Sequence, residues 1–283
     1  MALIYHVYDQ AGLDAQYNMR LAVPGCQTIF DRWESESAAT RARLPVRQDL
    51  RYGSHDLETL DLFPAVGSGR RAPPLLVFIH GGYWFAFDKR YFSYLAAPWV
   101  ECGVAVAAIN YALCPHVTMD EIVRQNRAAV AWLGANAADL GFDPARILVT
   151  GHSAGGHLTA MVLSDAGRPK GVVGGLAISG LFDLEPIRLS YLNQHLHLDA
   201  ATARRNSPLH VLPAASPPLL LAVGGDETDE FQRQQADYHA AWASRGLPAE
   251  VIPMPGTHHF SVVDKLADPE GPMFATARGL LMG

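Results

Sequence analysis

The chain has 283 residues and a formal net charge of −6, and 49% of its residues are hydrophobic. This length and apolar fraction suit one α/β domain with a large core, which we assign to residues 1–283. The acidic balance argues against a nucleic-acid partner, and no apolar run is long enough to cross a bilayer. The 3 cysteines are scattered, and no signal-peptide pattern is present, so we expect a cytoplasmic protein with reduced thiols and no membrane partner.

Residues 1–47 differ in pattern from the rest and are predicted to form an N-terminal arm, or part of a cap, that docks through Tyr17, Phe30 and Trp33. After the arm, apolar β-branched runs alternate with helix-forming segments. The residues at 66–74 are predicted to form a turn, and those at 184–210 a small helical cap. Strands are predicted over 48–63, 75–80, 104–109, 147–150, 172–179, 219–223 and 250–254, and helices over 90–101, 119–137, 158–163, 231–245 and 273–281. This alternation predicts a mainly parallel sheet with helices on both faces.

A G-x-S-x-G pattern at 151–155 lies between an apolar strand and a run of helix formers. Strand, sharp turn and helix with serine at the apex is the context of a nucleophile elbow, which makes Ser153 the candidate nucleophile. Glycines must flank such a serine because the turn strains its backbone. The same five-residue pattern also occurs in ordinary glycine-rich turns, so the assignment depends on which other residues reach Ser153.

A serine nucleophile needs a base to accept its proton and a carboxylate to orient that base. Asp226 and Glu227 both follow the strand at 219–223, and either could be the acid. His258 and His259 follow the last strand, and in an extended loop their side chains point to opposite sides, so only one can face Ser153. Because the carboxyl ends of parallel strands meet at one edge of the sheet, we expect the serine, an acid and a histidine to converge there.

Residues 80–84 read His-Gly-Gly-Tyr-Trp and directly follow a predicted buried strand. Such a loop can bring backbone N–H groups to the oxygen that gains negative charge during acyl transfer. The expected donors are the N–H groups of Gly82, Tyr83 and Ala154. His80 is expected to hold the loop by hydrogen bonding rather than to react.

Aromatic residues cluster at 83–94, just after this loop. Most should lie in the core, but one or two are expected to line a small apolar pocket. We expect Tyr83, Trp84 and His152 to contact the substrate. No cofactor or metal is predicted, because the histidines do not form a set with the spacing of zinc ligands.

The loop at 80–84 and the segment 151–158 together resemble the α/β-hydrolases of the hormone-sensitive-lipase-like group. They are most similar to the kynurenine formamidase (arylformamidase) branch, whose oxyanion motif is H-G-G-x-W, and to its bacterial carboxylesterase relatives. Local matches at 179–186, 207–209 and 259–260 extend the resemblance over about residues 17–266. It implies the α/β-hydrolase fold, with Ser153 as nucleophile and His259 as base.

The acid position departs from the pattern of that branch. The branch has an aspartate three residues before a Glu-Phe pair, and this chain has Glu227 there, ahead of Glu230 and Phe231. The resemblance therefore favours Glu227 and keeps Asp226 as the alternative. Because of the same departure, the resemblance does not assign the exact substrate of that branch to this chain.

These observations predict a serine hydrolase of the α/β-hydrolase fold that cleaves small carboxylic esters or aryl formamides through an acyl-enzyme on Ser153. Its expected partner is a small ester or amide substrate, and a homodimer is left open. The alternative is a non-catalytic small-molecule-binding protein on the same fold, which the candidates for all three catalytic roles argue against.

Overall fold

A computed structural model describes residues 2–67, 72–165 and 167–283 of the chain. Within them, one sheet of 8 strands has the order β1-β2-β4-β3-β5-β6-β7-β8. The strands are β1 (Arg47–Arg51), β2 (Thr59–Phe63), β3 (Leu75–Ile79), β4 (Ala105–Ile109), β5 (Ile147–His152), β6 (Val172–Ile178), β7 (Leu219–Ala222) and β8 (Ala249–Val251). From β4 onward along this order, every neighbouring pair is parallel, while β1–β2 and β2–β4 are antiparallel.

The helices between β3 and β8 supply the crossovers between the parallel strands. They are α1 (Gln10–Tyr17), α2 (Met19–Ala22), α3 (Cys26–Arg43), α4 (Ala96–Glu101), α5 (Met119–Ala135), α6 (Ala137–Leu140), α7 (Ala154–Leu163), α8 (Glu185–Leu189), α9 (Asn193–Leu196), α10 (Ala200–Arg205), α11 (Asp229–Ser244) and α12 (Pro272–Met282). The central strands β3, β4 and β5 are buried along their whole length, as expected for a parallel sheet covered on both faces. The predicted α/β class with a mainly parallel sheet is confirmed.

Three predicted elements differ from the structure. The strand predicted over 48–63 is a hairpin, because residues 52–58 turn and Glu58 accepts a hydrogen bond from the N–H of His55 at 2.8 Å. The helix predicted over 90–101 is two short 3-10 turns followed by α4. Pro98 cannot donate to the carbonyl of Tyr94, so an α-helix could not run through that point without losing a hydrogen bond. The last strand ends at 251, since Pro253 cannot donate to the sheet.

The N-terminal arm lies over the sheet through buried aromatic side chains. Tyr17, Phe30 and Trp33 are all 4% exposed or less. Trp33 donates from Nε1 to Asp264 at 3.1 Å, and Tyr17 donates from its hydroxyl to Glu230 at 2.8 Å. The arm is thereby tied to both the C-terminal segment and α11.

Residues 184–210 contain three short helices, α8 to α10, and a 3-10 turn at Pro208–His210. The turn predicted over 66–74 includes residues 68–71, which lie outside the described residues.

None of the helices in the described part of the chain is long and apolar enough to span a membrane. Cys26, Cys102 and Cys114 are free thiols.

Candidate active site

The turn after β5 places Ser153 at the carboxyl edge of the sheet. Ser153 has φ 58° and ψ −117°, and its N–H donates to the carbonyl of Ile178 at 2.8 Å. A side chain on Gly155 would clash with the carbonyl of Ile79, because helix α7 begins directly against β3. The predicted sharp turn is therefore present, and the glycine at 155 is required by close backbone packing.

Ser153, His259 and Glu227 form a continuous hydrogen-bonded chain. The distance from Ser153 Oγ to His259 Nε2 is 3.1 Å, and that from His259 Nδ1 to Glu227 Oε2 is 2.6 Å. Ser153 and His259 are each 3% exposed, and the side chain of Glu227 is fully buried. Three residues from the loops after β5, β7 and β8 thus meet at one edge of the sheet.

The second oxygen of Glu227 is held by two donors from neighbouring strands. Oε1 accepts from the N–H of Gly224 at 2.7 Å and from the hydroxyl of Ser179 at 2.5 Å. Ser179 directly follows β6 and has φ 49°. Both oxygens are therefore engaged, which fixes the carboxylate plane and aims Oε2 at the imidazole.

The alternative acid and base lie elsewhere. Asp226 is exposed, and none of its side-chain contacts among the described residues is to either histidine. The Nδ1 of His258 accepts from the N–H groups of Phe260 and Ser261, each at 3.2 Å. His258 therefore caps its own turn, while His259 faces Ser153.

The loop after β3 lies against the serine. A Cβ added to Gly81 would be 3.2 Å from the Cβ of Ser153, and Gly82 has φ 109°. Among the described residues, the N–H groups of Gly82, Tyr83 and Ala154 make no hydrogen bond. The loop also has left-handed conformations at Tyr83 (φ 46°) and Trp84 (φ 60°). Free donors on a loop this close to Ser153 are what an oxyanion site requires.

Hydrogen bonds from Tyr83 and His80 hold the loop at 80–84 in place. The hydroxyl of Tyr83 donates to the carbonyl of Tyr17 at 2.8 Å, which joins it to the arm. His80 is fully buried, its Nδ1 contacts the carbonyl of Gly81 at 2.8 Å, and its ring stacks on Tyr111 with 4.2 Å between centroids. His80 thus contacts the loop through a hydrogen bond, in agreement with its expected structural role.

The expectation that Trp84 contacts the substrate is wrong. Trp84 is fully buried and its ring does not line the pocket. Its Nε1 donates to His157 Nδ1 at 3.2 Å, and His157 Nε2 then donates to the carbonyl of Asn206 at 2.7 Å. The left-handed backbone at Trp84 turns the indole away from the pocket, so that it joins the loop to α7 and the cap.

His152 and Tyr83 line the pocket, and their contact with the substrate stays a prediction. The Nε2 of His152 lies 2.8 Å from the carbonyl of His259, and the two rings are 4.7 Å apart. Burial, together with the neighbouring His259, holds the pKa of His152 well below its usual range. A neutral His152 donates its proton to the backbone of His259 and supports the loop that carries it.

The pocket above Ser153 is a cavity of about 140 Å³. Its walls are mainly aromatic, which favours a planar, apolar group. The lining residues are Asn18, Met19, Arg20, Phe30, Trp33, Gly81, Gly82, Tyr83, Phe85, Ala86, Phe87, Phe92, His152, Ser153, Tyr191, Leu192, His259 and Phe260. In the described part of the chain, no group of three or more His, Cys, Asp or Glu side chains is placed to hold a metal ion.

Several of these residues escaped the sequence reasoning. Ser179 reaches Glu227 from the end of β6, and Arg20 and Tyr191 line the pocket from the arm and the cap. The local match at 179–186 gave Ser179 no role, and no motif marks the other two. Position was the one available signal for Ser179, because it follows a parallel strand directly, as Ser153 and Glu227 do. Arg20 and Tyr191 depend on how the arm and cap pack, which no short pattern encodes.

His157 should make the stability of the protein sensitive to acid. Burial lowers its pKa from 6.5 to about 4, so between these values the unfolded chain binds a proton that the folded chain does not. This contribution to stability is present above pH 6.5 and is lost as the pH falls towards 4. We expect His157→Gln to reduce the slope of the free energy of unfolding against pH by up to about 1.4 kcal/mol per pH unit in this window.

Urea denaturation at several pH values between 4 and 7 measures this slope. His210→Gln is the matched control, because His210 is exposed at the end of a 3-10 turn. Equal slopes for His157→Gln and the wild-type protein would show that His157 does not stay neutral in the folded state.

Comparisons with known proteins find relatives that are hydrolases. The BD-FAE family matches residues 60–168. Kynurenine formamidase of Danio rerio is 34% identical over 245 residues, covering 82% of this chain and 82% of that protein. Esterase LipQ of Mycobacterium tuberculosis (strain ATCC 25618 / H37Rv) is 28% identical over 237 residues, and the match covers 75% of this chain and 56% of the esterase.

A solved structure is also similar along nearly the whole chain. It is a candidate thioesterase from Silicibacter sp. TM1040, with a TM-score of 0.84 and 33% identity, and the match covers 96% of this chain and 99% of that one. The similarity therefore includes the arm and the cap as well as the sheet.

Proposed function

This chain belongs to the kynurenine formamidase family, within the hormone-sensitive-lipase-like α/β-hydrolases, and from that premise we propose that it is a serine hydrolase with Ser153 as its nucleophile. Its family relatives are hydrolases of esters or formamides, and so is this chain. The proposed substrates are small carboxylic esters or aryl formamides, cleaved through an acyl-enzyme. No metal or cofactor takes part in the proposed steps.

The observation that carries the proposal is the pair of contacts made by His259. One ring nitrogen is 3.1 Å from Ser153 Oγ and the other is 2.6 Å from Glu227 Oε2. The carboxylate holds the proton on Nδ1, which leaves Nε2 free to accept the serine proton. Burial of all three side chains strengthens these interactions, because water does not compete for them.

In the proposed reaction, Ser153 Oγ attacks the carbonyl carbon while its proton moves to His259 Nε2. The carbonyl oxygen becomes an oxyanion and accepts hydrogen bonds from the N–H groups of Gly82, Tyr83 and Ala154. Each such donor can contribute about 3 kcal/mol to the transition state. His259 then gives its proton to the leaving oxygen or nitrogen, the carbon–heteroatom bond breaks, and the acyl group stays on Ser153.

Water completes the proposed cycle. His259 takes a proton from the water, whose oxygen attacks the acyl carbon, and the bond to Ser153 Oγ breaks as His259 returns the proton to it. The products are the free acid and the serine. The small cavity and the close approach of Gly81 to Ser153 suit a short acyl group such as formyl or acetyl.

The proposal predicts a burst of product in the first turnover. Mixed with p-nitrophenyl acetate, the protein should release about one equivalent of nitrophenolate per chain before the steady state, since acylation of an activated ester is faster than deacylation. Stopped-flow absorbance measures the amplitude. Hydrolysis that occurs without any covalent acyl-serine, as tested by mass spectrometry of the quenched enzyme, would contradict the mechanism.

Steady-state kinetics then separates the two substrate classes. Values of kcat/KM for N-formyl-kynurenine and for short p-nitrophenyl esters decide between a formamidase and a general esterase. The alternative of a non-catalytic binding protein predicts no turnover of either class, and the hydrolase family of the chain argues against it.

A further inference from the structure

We propose that His152 is a specificity-determining residue, whose Nδ1 accepts a hydrogen bond from the N–H of the scissile amide in the transition state. The inference rests on the proposed function, because it assumes that Ser153 attacks the substrate carbonyl. It assigns to His152 a selective acceleration of substrates whose leaving nitrogen carries a hydrogen, namely secondary amides and formamides.

The first observation is the tautomer of the His152 ring. Its Nε2 lies 2.8 Å from the carbonyl oxygen of His259, and a carbonyl can only accept a hydrogen bond, so Nε2 carries the proton. Burial of the ring, together with the neighbouring His259, holds the pKa of His152 well below its usual range, which keeps the ring neutral. Nδ1 therefore carries a free lone pair and can only accept a hydrogen bond.

The second observation is that this acceptor has no protein partner. Among the described residues, no N–H or O–H group donates to His152 Nδ1, and the atom retains an accessible surface, whereas Nε2 of His80 is both unpartnered and closed off. His152 is only 3% exposed and lines the pocket, so this accessible surface borders the cavity. In the same pocket, Asn18 Oδ1 already accepts from the N–H of Leu21 at 3.1 Å, and Arg20 can only donate.

The third observation is the position of His152 beside the reacting groups. A Cβ added to Gly81 would be 3.4 Å from His152 Nδ1 and 3.2 Å from Ser153 Cβ, so the bare Cα of Gly81 leaves one space that adjoins both. The rings of His152 and His259 are 4.7 Å apart. His152 therefore lies on the side of Ser153 where the base stands, which is the side where the leaving group must receive its proton.

An amide needs such an acceptor, and an ester does not. When Ser153 Oγ bonds to the carbonyl carbon, the lone pair that forms on the nitrogen lies opposite the new bond and points away from His259. The nitrogen must invert before His259 Nε2–H can protonate it and the C–N bond can break, and its own N–H turns to a new direction. An acceptor in the wall stabilises that N–H in the transition state, where binding energy raises the rate. An ester oxygen has a second lone pair that already faces the base.

The test compares three substrates that deliver the same formyl group: formanilide, N-methylformanilide and phenyl formate. Of these, formanilide is the one that carries a hydrogen on the leaving atom. All three form the same formyl-enzyme, so kcat/KM reports the half of the reaction in which the leaving atom departs.

Two variants separate the two ring nitrogens of His152. In His152→Gln, the amide NH₂ can reach the carbonyl of His259 in place of Nε2–H, but no atom takes the acceptor position of Nδ1. We expect this variant to lower kcat/KM for formanilide by about tenfold or more, the effect of leaving one hydrogen-bonding group unpaired, and to change the other two substrates by less than about twofold.

The second variant, His152→Asn, places its Oδ1 where Nδ1 was and lacks the donor to His259. It should keep the wild-type ratio of kcat/KM for formanilide to that for phenyl formate, while both values fall together. His210→Gln is the matched control, because it makes the same chemical change at an exposed position outside the pocket. It should keep the wild-type kinetics with all three substrates.

Equal losses for formanilide and phenyl formate in His152→Gln would overturn the inference, since His152 would then act only by supporting the loop of His259. Unchanged formanilide kinetics in this variant, or no formanilide hydrolysis by the wild-type protein, would overturn it as well. Each of these results leaves the proposed function standing as long as phenyl formate is hydrolysed through a formyl-enzyme. Failure of the proposed function is a different outcome, namely that mass spectrometry of the quenched wild-type protein finds no acyl-serine with any ester.

Discussion

Replacing Ser153 by alanine should abolish the burst and lower kcat by roughly 10⁶-fold, the cost of removing a nucleophile from a triad of this kind. The change removes only Oγ, whose described contact is with His259 at 3.1 Å. The backbone at 153 stays in its strained conformation, because alanine carries the same Cβ as serine. The large loss of rate should therefore come with a change of no more than about 1 kcal/mol in the free energy of unfolding.

Ser244→Ala provides the matched control for this substitution. Its hydroxyl donates to the carbonyl of Ala241 at 2.7 Å at the exposed end of α11, away from the pocket. It should keep the burst and the wild-type kcat. A variant Ser153→Ala that still forms an acyl-enzyme would place the nucleophile elsewhere and remove the basis of the mechanism.

Replacing Glu227 by glutamine should lower kcat by roughly 10⁴-fold, the effect of a wrong histidine tautomer in a serine triad. The N–H of Gly224 can only donate, so it requires the oxygen of the new amide at the position of Oε1. The amide NH₂ then faces His259 Nδ1 and donates to it. The imidazole must carry its proton on Nε2, where it cannot accept the proton of Ser153.

Asp226→Asn is the matched control for Glu227→Gln, since it makes the same chemical change at the neighbouring position. Asp226 is exposed, and surface changes of this kind alter energies by about 0.5 kcal/mol or less, so kcat should stay within about twofold. Circular dichroism and thermal unfolding check that both variants are folded. A large loss of kcat in Asp226→Asn alone would show that the acid is Asp226.

The sites of chemistry that could be read from short patterns are those built by consecutive residues. The turn at 151–155 and the loop at 80–84 each form within a few positions, so their glycines and their place after a strand were visible in the sequence. The same is true of the sheet, because apolar runs alternating with helices leave few other arrangements. This is why the fold class could be predicted from the sequence, and the structure confirms it.

Choices between neighbouring residues needed the packed structure. Asp226 and Glu227 are adjacent in sequence, and the difference between them lies in which carboxylate meets Ser179, Gly224 and His259 from three separate loops. The orientation of Trp84 was predicted wrongly because its direction depends on a left-handed backbone angle that few residues adopt. Such details depend on contacts between distant parts of the chain.

The sequence by itself determined the parallel sheet, the sharp turn that carries Ser153 and the glycine loop beside it, since each depends on local propensity and on the order of strands. Only the tertiary structure decided which acid and which histidine face the serine, and how the arm and cap complete the pocket. Tyr83 reaches the carbonyl of Tyr17 across 66 positions of sequence, and this packing of the arm brings Arg20 to the pocket mouth. Side chains so far apart are brought together by burial of the whole core, which is a property of the folded chain and not of any short segment.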